Sequence, residues 1–414
     1  MPQAKGAATQ LLLQREITYR TLPGVVAAFK MPFTTFNPGK DAQKVDDPSI
    51  SASPLGGKKG DANPVFQPSL TSILDLRSIG HWLALLMGVP TSFKAVTKQP
   101  TNVTGVTVNY GAAACPSGNG TLTFTAAAHT LEWKAQGDAT PGAAVDVSAG
   151  GYFTLQSGTA AHSVHVTVAA ASLPVVDKSD TDIAVSATLK CHVFPVDLAD
   201  RPSALLEPGY TDIGKYYPIL GNKVNTLSYD VGNKDQNITV ALIGAVDSEE
   251  TVPFDAAPTA YNSVRACAGG GSLWNGVDSS LGTITEGKVE IGNNMSGELT
   301  IKTDNTPIAT NTGYGLVNQG DVMLKGSIKT VFDSLGAYAL ARSNTSTRMR
   351  IASRANNGSD TFAMILDLPF VAFDEKSVPI SGKSGVFADL DWAAHRDSSG
   401  RLPLVMLVND IPSY

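Results

Sequence analysis

Six histidines and scattered carboxylates are the residues of this 414-residue chain whose types could do acid–base or metal chemistry. "HVFPVD" at 192–197 and "LDWAAHRD" at 390–397 each bring a histidine near an aspartate, a pairing that can activate a nucleophile. Closeness in sequence does not build a triad, and no G-x-S-x-G elbow accompanies them. His162 and His165 lie three apart, on opposite faces of a strand, so they read as exposed strand histidines rather than joint metal ligands. Asp389 and Asp391 in "FADLDW" share one strand face and could bind a cation, face water or pair with a lysine. Spacing alone leaves a glycosidase-type carboxylate pair open. Cys115, Cys191 and Cys267 are far apart, odd in number and without C-x-x-C spacing, so neither a disulfide framework nor a zinc site is expected. The glycines of "ACAGGGSLWNG" match neither a phosphate loop nor a dinucleotide fingerprint. The residues therefore point to no enzyme, no cofactor and no metal.

The elements around them are mostly strands. Thirty-nine glycines and 24 prolines, with abundant Thr, Val and Ser, describe many turns and short strands. The length suggests more than one domain. With 31 basic against 37 acidic residues the chain lacks the positive surface that grips nucleic acid, although DNA could slide past it. No secretory leader is evident, and no apolar run approaches the ~20 residues that span a bilayer, so membrane insertion is not expected.

The densest apolar stretch, "DLRSIGHWLALLMG" at 75–88, reads as a helix with one buried face. Leu76, Ile79, Leu83 and Leu86 form its stripe, Asp75 its cap and Gly88 its stop. Ahead of it, 36–68 is dense in Gly, Pro, Asp and Lys and reads as a long functional loop. After it, 104–171 turns Thr- and Gly-rich, with six short strands at eight-to-twelve-residue intervals, the pattern of a small β-sandwich. In "KVNTLSYDV", alternation places Val224, Thr226, Ser228 and Asp230 on one face and Leu227 and Tyr229 on the other.

A second helix is expected at 327–342, with a stripe of Ile328, Val331, Phe332, Leu335 and Tyr338. Ser78-Ile79-Gly80-x-Trp82 then aligns with Ser334-Leu335-Gly336-x-Tyr338. Each helix is followed by four strands, which suggests a duplicated β-rich domain with the Thr-rich segment inserted in the first copy. The division is 1–103 with 172–250, then 104–171 as the insertion, then 251–414. A glycine inside a helix makes sense where the helix lies close against a sheet, with Ile79, Trp82, Leu83 and Tyr338 packing beside it.

At these residues the chain resembles the tail tube proteins of long-tailed bacteriophages. The likeness rests on "SILDLRSIGHWLALLMG", "YYPILGNKVNTLSYDV" with "ITVALIGA", and "MILDLPFVAFDE" through "VFADLDW" to "LVMLVND". It implies a mainly β fold of two tandem sandwich or barrel-like domains, each flanked by a helix, with an Ig-like insertion outside the tube. It also implies a structural virion protein that stacks as rings around a channel for DNA, a trimer when the domain is duplicated. Its partners would be itself and the tape measure, terminator and distal tail proteins at the tube ends, after synthesis in the host cytoplasm. By position, the family's ring-to-ring loop falls on 36–68, with Asn37, Lys40, Asp41, Lys44, Asp46, Asp47, Lys58, Lys59 and Asp61 as candidates. In "EGKVEIG", alternation sets Glu286, Lys288 and Glu290 opposite Val289 and Ile291, and Glu298 continues the polar series. These are candidate lumen residues. The competing reading is a surface module whose Thr-rich sandwich contacts a glycan or receptor through Trp133, Tyr152 and Phe153.

Overall fold

The computed structural model describes residues 5–46, 58–59, 64–196, 200–232, 234–274, 284–299, 313–331, 336–376, 387–396 and 402–414. The fold is mainly β. Its framework elements in chain order are β1 (Thr35–Asn37), β2 (Ser69–Ile73), α1 (Ile79–Met87), β3 (Thr91–Val96), β4 (Lys178–Phe194), β5 (Ile219–Val231), β6 (Asn237–Ile243), β7 (Ile284–Gly292), β8 (Met323–Val331), α2 (Gly336–Ser343), β9 (Thr347–Asn357), β10 (Asp360–Phe373), β11 (Phe387–Ala394) and β12 (Leu404–Asn409).

Two antiparallel layers result. The first runs β1–β2–β6–β5–β7–β8–β11. The second runs β9–β10–β12–β4–β3. The end of β10 pairs with β11 and joins the layers. One apolar core lies between them, drawing Leu70, Leu227, Tyr229 and Val240 from the first half and Val289, Leu366, Trp392 and Leu407 from the second.

α1 sits in that core with all nine of its residues buried. The expectation of one buried face was too narrow: even His81 is 7% exposed. A helix apolar around its circumference must be enclosed on all sides. Its ends are closed by polar groups. The Asp75 carboxylate accepts from the Ser78 N–H at 3.1 Å, and Arg201 donates to the Met87 carbonyl at 2.6 Å. Gly88 then turns the chain out at φ 100°.

Gly80 has a reason the sequence did not suggest. A Cβ there would stand 2.2 Å from the Tyr414 ring, so the glycine makes room for a side chain, not for a sheet. Tyr414 hydroxyl accepts from Asn409 Nδ2 at 2.6 Å and donates to the Arg77 carbonyl at 2.5 Å. Arg77 in turn holds Asp410 at 2.6 Å.

Several expectations change in the second half. Residues 327–331 belong to strand β8, with Ile328 in the core, and α2 begins only at Gly336. Alternating apolar and polar residues there follow a period of two, which the helical reading overrode. Phe332 and Leu335 lie outside the described residues. Tyr338 is half-buried and its hydroxyl reaches Glu375 at 3.3 Å.

The Thr-rich segment forms strands Val106–Gly111, Gly118–Thr125, Thr130–Lys134, Val145–Asp146, Gly151–Leu155 and Val164–Val168. They enclose their own core around Phe124, Leu131 and Trp133. That core also takes Ile183 and Val185 from β4, so the small sandwich extends past residue 171. β4 runs through both bodies, pairing with Gly118–Thr125 at one end and with β3 and β12 at the other.

Two tests follow. A Gly80→Ala substitution should cost about 1–3 kcal/mol by overpacking, and Tyr414→Ala about as much by leaving a void. The double variant should be more stable than their sum in urea unfolding, and strict additivity would show that the two do not share one space. The second test concerns pH. Burial holds His81 down to about 3 and His165 to about 4, and lowers His192. Above pH 6.5 these groups are neutral folded or unfolded. As pH falls below 6.5 the unfolded chain binds protons that the folded one refuses, so stability drops toward pH 4. Relative to the parent, His81→Phe should lose less by about 1.4 kcal/mol per pH unit. Glu207, fully buried and raised by desolvation to about 7 while accepting from the Phe254 N–H, has the opposite sign. Its contribution is complete below pH 4.5 and lost as pH rises through 7, so Glu207→Gln should stabilise the protein most at pH 8. Chemical unfolding midpoints across pH read both.

Candidate functional site: a hydrophilic sheet face

The first layer turns one face inward and leaves the other open. Register carries a single row of side chains across the whole open face: Thr35, Thr71, Thr239, Ser228, Glu290, Lys325 and Ala393 are successive cross-strand partners. The next row contains Asp230, Lys288, Ser327 and Asp391, and a third pairs Glu286 with Lys329 and Asp389. Every residue between these positions points to the core, including Ile238, Val240, Leu227, Tyr229, Val289, Ile291, Leu324 and Leu390. Side chains alternate along a strand, so one face can be wholly apolar only if the other is free to be polar.

One irregularity sets the register. β5 and β6 shift between Val224 and Thr226, leaving Asn225 as a bulge. Val224, expected beside Thr226, is therefore fully buried on the core side. Asn225 uses the extra position to accept the Met295 N–H at 2.8 Å, and Thr226, Ser228 and Asp230 stay on the open face.

The charge of the face is nearly balanced. Asp230, Glu286, Glu290, Asp389 and Asp391 stand among Lys288, Lys325 and Lys329, so acids are in slight excess. Opposite charges meet across strands: Lys325 approaches Glu290 at 3.3 Å and Lys329 approaches Glu286 at 4.0 Å. Lys376 holds Asp391 at 2.5 Å, which gives that aspartate a salt bridge, while Asp389 is exposed. Polyanions are neither gripped nor strongly expelled by such a surface.

The structure brings Glu286, Lys288 and Glu290 together with those partners. Glu298 is elsewhere, on a two-stranded ribbon of Ser296–Glu298 with Leu316–Asn318. Within the 36–68 loop, Lys40–Asp41 pairs with Val65–Phe66 in a ribbon of the same kind. Lys40 meets Asp247 at 2.8 Å, Asp46 meets Lys59 at 2.8 Å, and the Asn37 and Asp41 side chains accept from Gly39 and Gln43. Asp47 and Asp61 lie outside the described residues.

The chemistry-bearing pairs are used locally. His192 binds Ser92 at 2.8 Å and the Ile411 carbonyl at 2.9 Å, and His395 binds Ser346 at 2.7 Å. His162 sits in a turn against Asp138, and His165 is stacked on Tyr110 at 4.8 Å rather than exposed. Among the described residues no cluster of His, Cys, Asp or Glu could hold a metal.

A family model described as phage tail tube protein matches residues 6–394. The chain belongs to the phage tail tube protein family. No curated protein matches it. As a tail tube protein it is a structural component of a virion tail, in a family that is not enzymatic. No helix among the described residues is long and apolar enough to cross a membrane.

Alternation in the sequence groups Glu286, Lys288 and Glu290, then Thr226, Ser228 and Asp230, and then Asp389 with Asp391, on this tail tube protein's open face. Lys329 of β8 is hidden by the helical reading of 327–342, since it falls within that range. The signal was present in "LKGSIKT", where Lys325, Ser327 and Lys329 alternate with core positions.

Exposed cross-strand ion pairs contribute about 0–1 kcal/mol each. Glu286→Gln, Glu290→Gln and Asp389→Asn should therefore each shift unfolding free energy by less than about 1 kcal/mol. A larger loss in urea unfolding would mean that the face is buried against something in the folded protein.

Proposed function

We propose that three chains close each ring of the tube, that rings stack head to tail, and that the hydrophilic face lines the channel through which DNA leaves the virion. The observation that carries this reading is the unbroken polar row from Thr35 to Lys325, backed by core. A channel for a polyanion needs water-compatible walls without concentrated positive charge.

The order of strands supports the duplication behind a three-chain ring. β1–β2–β6–β5 is followed across the sheet by β7–β8–β11 and the end of β10, with a helix directly after β2 and after β8. Between β1 and β2, and again between β7 and β8, the chain leaves the sheet in a long connection carrying a two-stranded ribbon. Gly313 of the second connection lies against Phe66 and Pro64 of the first, so both leave from one end of the sheet. Both are the candidate contacts to the adjacent ring, and Glu298 belongs with Lys40 and Asp41 rather than with the lumen. Pairing of β5 with β7 inside one chain is the template for β1 of one chain meeting the β10–β11 end of the next. Closing the ring removes those edges, and head-to-tail stacking gives an open filament. The small sandwich covers the second layer, away from the channel face. Tape measure, terminator and distal tail proteins meet the ends of such a tube.

Negative-stain microscopy of the purified protein should show hollow tubes or rings with threefold symmetry, and a persistent monomer would overturn the reading. With Asp230, Glu286 and Asp389 all changed to lysine, tubes should still form while genome release slows, most at low salt. Unchanged release from assembled tubes would remove this face from the channel.

A further inference from the structure

β9 carries Arg348, Arg350 and Arg354 on the face of the second layer that turns toward the small sandwich. Arg348 is satisfied: its guanidinium binds the fully buried Asp367 through two contacts, one of 2.8 Å. Arg350 and Arg354 have no hydrogen bond and no ion pair among the described residues. The carboxylate that favours the charge of Arg350 is Asp367, already engaged by Arg348, and desolvation lowers the Arg350 pKa. Arg350 is half-buried and Arg354 exposed, and a partly desolvated guanidinium whose donors are unused is placed to take a ligand acceptor.

Both arginines line a cleft of about 700 Å³ between the small sandwich and the second layer. Thr107 and Ser186 face it from one side, and Ser359, Asp360 and Thr361 from the other. The volume is far larger than a single ion and falls in the range of small-molecule sites, roughly 300–1,000 Å³. A guanidinium matches a carboxylate through two parallel N–H donors, and hydroxyls on both walls match a polyhydroxylated ring. Arg354 stands four residues along the same strand face, roughly 13 Å away, so it reaches the mouth rather than the same anion.

We propose that this cleft binds an acidic sugar, with its carboxylate on Arg350 and its ring hydroxyls against the serines and threonines of the two walls. The site is independent of the channel and of the aromatic residues of the sandwich. Trp133 is core, and Tyr152 lies under Arg348. A tail tube carrying such a site would hold acidic glycan on its outer surface.

Calorimetric titration of the full-length protein with glucuronate, glucose and inorganic phosphate tests this. Glucuronate should bind, glucose at least tenfold more weakly, and Arg350→Gln should weaken glucuronate at least tenfold. Arg350→Lys should recover only part of that loss, since an ammonium lacks the planar fork. Without ligand, Arg350→Gln should melt at or near the parent temperature, because a half-buried guanidinium with no hydrogen bond has been removed. Arg354→Gln, at the mouth, should weaken binding severalfold and gives a second readout if the first variant folds poorly. The proposal is overturned by glucuronate binding that ignores Arg350, by equal affinity for glucose, by phosphate binding where glucuronate does not, or by no binding to the parent at all.

Discussion

A sheet with water on one side and a shared core on the other has no freedom of register. A slip of one residue would turn every buried side chain of a strand outward. In this protein the first layer meets that condition on each strand from β2 to β11, and the bulge at Asn225 is where the condition is enforced. Without the extra residue, Val224 or the run of Thr226, Ser228 and Asp230 would take the wrong side. The polar row is thus a by-product of core packing as much as a surface in its own right.

What fills the core explains the rest of the fold. α1 is enclosed on all sides and so needs partners on all sides: sheet on two, Phe29 and Tyr261 beside His81, and the Tyr414 ring over Gly80. Burial among the rings of Phe29, Tyr261 and Tyr414, with the Arg15 charge nearby, disfavours the charged form of His81. The segment from Asn409 to Tyr414 ties the last strand to the first helix through Asn409, Asp410 and the tyrosine hydroxyl. These are contacts between distant parts of the chain, and no local pattern announces them.

Legibility followed the range of the interaction. Alternation in "EGKVEIG", the stop of α1 at Gly88 and the six strands of the small sandwich are readable because each depends on neighbours a few residues away, whereas α1 itself begins at Ile79, four residues after the expected cap Asp75. The boundary of that sandwich was not, since Ile183 and Val185 serve its core from a strand that continues into the main body. The group that Gly80 accommodates, Tyr414, lies more than three hundred positions away, so its reason is not local. "TRMRIASR" reads as an ordinary strand, and only the facing sandwich turns the Arg350 side chain into the lining of a cleft.

The comparison of the two halves shows why strand order in sequence is a weak guide to equivalence. Matched by sequence order after each helix, β5 falls opposite β11 and β6 opposite β12. Matched by pairing, β6 and β11 are the counterparts, since each lies beside the strand that precedes its helix. The insertion before β4 and the additional strand Ala204–Tyr210 displace the count in the first half, while pairing partners stay the same. Hydrogen-bonded neighbours are set by the requirement that every interior strand be flanked on both sides, which insertions do not alter. On the proposed duplication, equivalence between the halves resides in the ladder, which both long connections leave next to the strand before a helix. A surface that needs repeated contacts around a ring can be built from that regularity of pairing rather than from repeated residues.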